Sequence, residues 1–331
     1  MVNSPDVSVI VPVFNGGDGL ELSLRSLLNQ TLKKLEIIVV NDASTDTSKA
    51  VIDILASENG NIVAIHLPEN QGVHEARLAG IKKAAAPWIG FLDADDFARP
   101  NMFEVMLGAG KQENVDIVVC GSYRVTPERK LIAPKLRFKR SKKVDSDVFE
   151  KFCRFEFGTG MLWNKLYRRE VLTPYGDMHF PWRQNINEDL VLNLGLFKKA
   201  SSIYLLKEVL HEYVFNKSSV TSNSDNARDF VSTFRAFALA LYCVPGLHED
   251  SRHWVIELYR RQLSTQNYCV DDITKLLAYN DDLKEAINLI SSIDSGYLAI
   301  LSARRVPNNL PVNALFSIIK FKIKKWLIGP V

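Results

Sequence analysis

The chain has 331 residues, 47% hydrophobic and 24% charged, which is soluble-globular composition with room for one large domain and an appendage, or for two domains. A net charge of +3 is too small for nucleic acid to be the main partner. Four widely spaced cysteines (Cys120, Cys153, Cys243, Cys269) show no paired metal spacing, and free thiols in a reducing compartment are expected.

The N-terminal "MVNSPDVSVIVPVFN" has an acid before its apolar run and no basic segment, unlike a signal peptide. Its core, 7–14, is a continuous β-branched run, the pattern of a strand covered on both faces. Leu20, Leu24, Leu27 and Leu28 then recur at helical spacing. A second buried strand is predicted over 35–42, followed by a helix that Ser44 or Thr45 would cap. Strand 61–67, helix 72–86 and strand 87–93 repeat the alternation, and a helix near 100–112 precedes a strand over 115–125. Strands and helices alternating at this period predict an open, mostly parallel α/β sheet. From about 127 the rhythm changes. Residues 128–143 hold eight basic residues and one acid, read as a loop or edge element that is either plain solvated surface or a binding face. Helices are expected around 147–157 and 188–199, a strand over 201–215, and helices throughout 226–300. No stretch reaches the roughly 18 consecutive apolar residues of a spanning helix. The expected location is the cytoplasm, with any membrane contact peripheral.

In an open parallel sheet, ligands bind outside the carboxyl ends of the strands. Here those ends read Pro12–Asn15, Asn41–Asp42, Glu69–Gly72 and Asp93–Asp96, all polar. The fourth packs Asp93, Asp95 and Asp96 into four positions, and carboxylates so close repel one another unless a positive charge sits among them. Hard oxygen ligands without neighbouring His or Cys select Mg²⁺ or Mn²⁺, ions that keep open positions for phosphate oxygens. No G-x-x-x-x-G-K-[ST] loop occurs and "FNGGDG" lacks dinucleotide spacing. A metal-held nucleoside diphosphate is therefore favoured over NAD or a P-loop nucleotide.

"VSVIVPVFN", "IIVVNDASTDTS", "ENQGVHEARLAGI" and "IGFLDADD" resemble the successive motifs of inverting family 2 glycosyltransferases, which have the GT-A fold, a Rossmann-like sheet flanked by helices. "LWNKLYRREVL", "NEDLVLNLGLF" and "YVFNKSSVT" resemble the second half of the same catalytic domain. The resemblance implies a catalytic domain over 1–225 and a mainly helical region over 226–331. It implies transfer of a hexose or N-acetylhexosamine from a nucleotide sugar, a UDP-sugar foremost, to a glycan or lipid-linked glycan. By the same resemblance Pro12, Val13, Phe14, Asn15, Asp42, Arg77, Asp93 and Ala94 would meet the nucleotide. Asp95 and Asp93 would bind Mn²⁺ or Mg²⁺, and His211 would approach the diphosphate. Asp96 would orient a ligand or an acceptor hydroxyl. Trp163, Asn164 and Lys165 would line the acceptor or phosphate side, with buried packing the other reading of Trp163. The other reading of Arg77 is an ion pair with Glu75 or Glu69.

Displacement at an anomeric carbon needs a base for the acceptor hydroxyl. The family pattern puts it on Asp189, with Glu188 the runner-up, because neighbouring helical positions point about 100° apart. The chain departs from the family at Asn41, where an acid is commoner, and at Leu78. Two rival functions remain at this stage. A sugar-phosphate nucleotidyltransferase needs a Gly-rich basic loop after strand one, yet "FNGGDGLELSLR" has no base before Arg25. An inactive scaffold has no chemical need for Asp42, Asp93, Asp95 and Asp189 together. Finally, 314–329 forms a basic amphipathic pattern with Trp326 on the apolar side. It suits either the anionic inner face of the cytoplasmic membrane or docking on the protein itself or an oligomer partner.

Overall fold

The computed structural model describes residues 4–158, 160–215, 225–247, 249–263 and 273–303. Strand β1 (Val7–Val13) leads to α1 (Leu20–Leu28), β2 (Leu35–Asn41), α2 (Ser48–Glu58), β3 (Ile62–His66), α3 (Val73–Lys83) and β4 (Trp88–Phe91). Next come β5 (Phe97–Ala98), α4 (Met102–Glu113), β6 (Ile117–Val125), β7 (Leu131–Leu136), β8 (Lys142–Val144), α5 (Val148–Cys153) and β9 (Lys165–Arg168). Then α6 (Arg169–Leu172), α7 (Glu188–Lys199) and β10 (Ile203–Val214) precede the helices α8 (Asn226–Cys243), α9 (Arg252–Leu263) and α10 (Asn280–Ala303).

By contacts the chain divides into two units: Met1–Asn185 with Leu192–Ser219, and Ile186–Val191 with Val220–Val331. The division expected at 225 differs in that 186–191 here belong with the helices.

In the first unit the sheet order is β3-β2-β1-β4-β9-β6-β10-β5, with β7 on β6 and β8 on β10. Strands β3, β2, β1 and β4 pair in parallel, as do β6 and β10. Strand β9 runs antiparallel to both β4 and β6, so those two point the same way although they never touch. This mostly parallel sheet is the α/β architecture the alternation predicts. The basic stretch forms the short strands β7 and β8, off the main path of the sheet.

All seven residues of β1 are buried, as expected of a strand with helices on both faces. Helix α3 lies close against it: a Cβ on Gly80 would stand 2.4 Å from Ile10 Cγ2. Helix α4 approaches β4 as tightly, since a Cβ on Gly110 would meet Trp88 at 2.6 Å. Pro12 cannot donate to a ladder. It is tolerated in β1 because the β4 pairing stops at Ile10 and Phe91.

Within the second unit, Asp225 caps α8 by accepting from the Ala227 amide at 3.0 Å. Phe237 and Tyr259 meet edge to face at 4.8 Å. Arg235 of α8 pairs with Glu285 of α10 at 2.8 Å and with Asp282.

Candidate active site

Where β1 and β4 part, β4 runs on into the acidic tip Asp93–Asp96. A fixed cation meets it at Asp93. Arg77 of α3, only 7% side-chain exposed, holds Asp93 Oδ1 at 3.2 Å. The alternative pairing of Arg77 with Glu75 or Glu69 is not what forms; Glu75 faces His179 at 2.7 Å instead. The helical turn carries Arg77 inward, two residues past Glu75, so the two side chains diverge.

Asp95 and Asp96 are treated differently by the fold. Asp95 reaches solvent, yet enough protein surrounds it that desolvation, with the like charges of Asp96 and then Asp93, holds its carboxyl up at about 7. Asp96 is 1% exposed; burial first and Asp93 second push its carboxyl well above the usual range. Its Oδ1 accepts from the Val214 amide at 2.8 Å. Its Oδ2 stands 3.3 Å from Nε2 of fully buried His211, and neither of these two atoms makes a well-formed hydrogen bond. Burial lowers the His211 imidazole to about 3 and keeps it neutral. Its Nδ1 faces Ser122 Oγ at 3.1 Å. A divalent cation suits this place: it would relieve three crowded carboxylates, and two buried polar atoms there lack hydrogen bonds. Among the described residues no three His, Cys, Asp or Glu side chains are arranged to hold a metal ion. On its own, then, the protein would supply only part of a coordination shell at this place.

The strand ends beside the tip are arranged less evenly than their sequence suggests. Pro12 and Val13 are buried in the sheet, while Phe14 is 49% exposed, so only Phe14 and the exposed Asn15 present side chains outward. Asn15, at φ 51°, accepts from the Thr45 amide at 2.8 Å while its own amide donates to Ser44 Oγ at 3.0 Å. Asp42 is 2% exposed, and both its oxygens accept backbone amides, Gln71 at 2.7 Å and Gly72 at 2.8 Å. Rather than lying open to a nucleobase, it fastens the turn that enters α3. Gly72 sits at φ 95° in that turn, a conformation that favours glycine. Asn41 is also structural: its Oδ1 accepts from the Ser44 amide at 3.1 Å and its Nδ2 meets His66 Nδ1 at 3.1 Å. Ala94 is partly exposed beside Asp93.

On the opposite flank Trp163 stacks on His211 at 4.1 Å and is 4% exposed, which is the packing reading. Asn164 and Lys165 do not line an open surface; both are 1% exposed. Asn164 Nδ2 donates to the Cys120 carbonyl at 2.9 Å, and Lys165 Nζ donates to Asn164 Oδ1 at 3.0 Å and to the Met161 carbonyl. Being on or next to β9, the strand sequence reasoning missed, they face the interior. A cation that reasoning also missed stands here. Lys135 Nζ lies 3.5 Å from the Tyr213 ring centroid and 5.6 Å from that of Trp163, near enough to Asp96 to lower its carboxyl somewhat. Its 78-residue separation from Tyr213 leaves no sequence signal.

Glu188 and Asp189 open α7 in the second unit. Glu188 is 7% exposed and Asp189 is more open, its Oδ1 accepting from the Leu190 amide at 2.7 Å. The residue before them is fixed unusually firmly. Asn187 has φ 64°, its Nδ2 donates to Thr233 Oγ1 of α8 at 2.8 Å, and its Oδ1 accepts from Gln262 Nε2 of α9 at 2.8 Å. Both ends of one amide are therefore held, and with them the start of the helix. The tail at 314–329 lies outside the described residues.

The fold is the α/β arrangement of the GT-A kind. Residues 8–176 match the glycosyl transferase family 2 profile, and the chain belongs to that family. It is 34% identical over 220 residues to the uncharacterized glycosyltransferase EpsJ of Bacillus subtilis, covering 66% of this chain and 63% of that protein. The match thus spans less than two thirds of that relative's length. Among solved structures it is similar to S. aureus TarS 1-349 in complex with UDP-GlcNAc, with TM-score 0.68 and 18% identity, covering 90% of this chain and 84% of that one. It is also similar to the mannosyltransferase PcManGT of Pyrobaculum calidifontis in complex with GDP-Man and Mn²⁺, with TM-score 0.53 and 18% identity, covering 98% and 82%. No described helix is long and apolar enough to cross a membrane.

Proposed function

We propose that this glycosyltransferase moves a hexose or N-acetylhexosamine from a UDP-sugar, with inversion, to a glycan or lipid-linked glycan acceptor, and uses Mn²⁺ or Mg²⁺. The observation that carries the proposal is the acidic tip of β4, where three carboxylates crowd together beside Arg77 at Asp93 and Lys135 near Asp96, a concentration of negative charge that a divalent cation would relieve. Asp95 and Asp93 would hold the ion, with His211 behind them. When bound, the ion neutralises the departing diphosphate as a Lewis acid. TarS in complex with UDP-GlcNAc and PcManGT in complex with GDP-Man and Mn²⁺ support the donor class and the metal.

Exposed Phe14 is the stacking platform for the base, and Asn15 beside it supplies polar contact. Asp42 acts through the 70–72 turn. Asp189 takes the proton from the acceptor hydroxyl as its oxygen attacks the anomeric carbon; the bond to the diphosphate breaks on the opposite face, and the anomeric centre inverts. Asp189 is preferred to Glu188 because it is the more open of the two. The catalytic domain would end near 225, and the 314–329 segment would rest on the anionic inner face of the cytoplasmic membrane.

The test has two parts. Thermal shift with UDP should give a gain that needs Mn²⁺; no metal-dependent gain sinks the donor site. Asp189→Asn should abolish transfer across a panel of UDP-sugars while UDP binding persists, and turnover at the native rate would remove Asp189 as base.

A further inference from the structure

The basic stretch at 128–143 meets the acidic site at Lys135 and runs away from it. Strand β7 pairs with β6 so that Leu136 lies opposite Ser122, the hydroxyl that touches His211. Lys135, one residue earlier, is the cation over Tyr213. Beyond it the chain exposes Arg137, Lys139 and Arg140, then Lys142 at the start of β8, where that strand joins β10. Some surface cations of this fold have carboxylate partners: Lys82 holds Asp177 at 2.7 Å, Lys49 holds Asp53 at 2.6 Å and, early in the same basic stretch, Arg129 holds Glu212 at 2.8 Å. Among the described residues those four have no carboxylate partner, and Glu128 is the one acid between 128 and 143. Like charges spaced so closely repel one another, so a segment that concentrates them without counter-charges is stabilised by an anionic ligand. Guanidinium groups grip phosphates and carboxylates in bidentate fashion.

We infer that the segment from Lys135 to Lys142 is a docking track for a linear polyanionic acceptor, a chain bearing regularly repeated phosphates or carboxylates, with Lys135 as its inner end beside the site of transfer. The inference rests on the glycosyltransferase reading and names the acceptor class for it.

The test is direct binding to the full chain, without transfer. Labelled inorganic polyphosphate and labelled polygalacturonate are titrated at 50 and 200 mM NaCl and followed by fluorescence anisotropy. Each cationic contact to a flexible polyanion contributes about 0.7 to the slope of log affinity against log salt. Five contacts therefore predict a loss of about a hundredfold across that salt range. The Arg137→Gln/Lys139→Gln/Arg140→Gln variant, keeping two, should lose only about sevenfold over the same range, and should bind at least tenfold more weakly at 50 mM. A control variant, Lys33→Gln/Lys34→Gln/Lys83→Gln, removes the same charge from other exposed positions and should match the native protein. Tighter binding of one polymer names the anion. The inference is overturned if track and control variants behave alike, or if anionic phosphatidylglycerol vesicles bind at this segment and neither polymer does. UDP affinity, measured in parallel, should be equal in all three proteins. Absence of UDP binding in the native protein would sink the donor reading and leave the polymer result to stand or fall on its own.

Discussion

Replacing Arg77 by methionine removes the only positive side chain seen against Asp93 among the described residues while keeping much of the packing volume. Breaking a fully buried ion pair by deleting one partner costs about 3–5 kcal/mol, whereas an exposed pair is worth about 0–1 kcal/mol. Arg77 is 7% exposed but Asp93 is 33% exposed, so water screens the orphaned carboxylate in part and a loss of about 2 kcal/mol is expected. For a unit of this size that lowers Tm by about 6 °C. A divalent ion can take over the charge. With a dissociation constant of about 0.1 mM, 1 mM Mn²⁺ returns about 1.4 kcal/mol by mass action, or roughly two thirds of the loss. Differential scanning fluorimetry of native and Arg77→Met protein, each with 1 mM Mn²⁺ or with chelator, reads this directly. The variant should gain several degrees from Mn²⁺, and the native protein less, because its Asp93 is already paired. Equal gains in both, or none in the variant, would refute the idea that arginine and metal act on the same charge cluster.

Three other outcomes are expected. Phe14→Ala should weaken UDP binding about tenfold by calorimetry, in line with the usual worth of base–aromatic stacking, and leave Tm unchanged because Phe14 is half exposed; an unaltered affinity would remove the platform. Gly80→Ala should destabilise the protein by about 1–2 kcal/mol in urea, since the clash with Ile10 at 2.4 Å outweighs the helix-propensity gain of up to about 1 kcal/mol; a more stable variant would deny the close approach of α3 to β1. His74 is buried against Phe180, donates to the Met178 carbonyl at 2.7 Å and is lowered to about 4, chiefly by desolvation. Unfolded, it takes up a proton near pH 6.5 that the folded chain refuses until about pH 4. Stability should therefore fall as pH drops through that window, by at most about 3 kcal/mol. His74→Gln, which keeps a donor but does not titrate, should flatten that dependence, and an identical pH slope would exclude His74 as its source.

What could be read from the sequence followed hydrophobic period. The β-branched runs at 7–14 and 35–42, the helices between them and the acidic ending of 87–93 announce themselves because burial on both faces demands uninterrupted apolar residues. The short antiparallel β9 did not: "KLYR" is four residues of mixed polarity, and its place between β4 and β6 depends on partners far away in the chain. For the same reason Asn164 and Lys165 looked available when they are interior. Asp42 was legible as a strand-end acid, but not its double acceptance from the turn at Gln71 and Gly72, because backbone amides carry no sequence signal. Lys135 was visible only as one of eight positive charges, and what singles it out is the Tyr213 ring beneath it.

The amide of Asn187 has a consequence for how this protein can be cut. Its two grips belong to α8 and α9, so the stub carrying Glu188 and Asp189 draws its orientation from the helical C-terminal half. A polypeptide ending at 225 would retain every described strand and the acidic tip, yet would release Asn187, and with it the start of α7, from both anchors. The first turn of α7 should then fray, so the C-terminal helices are what hold that turn and not a detachable module.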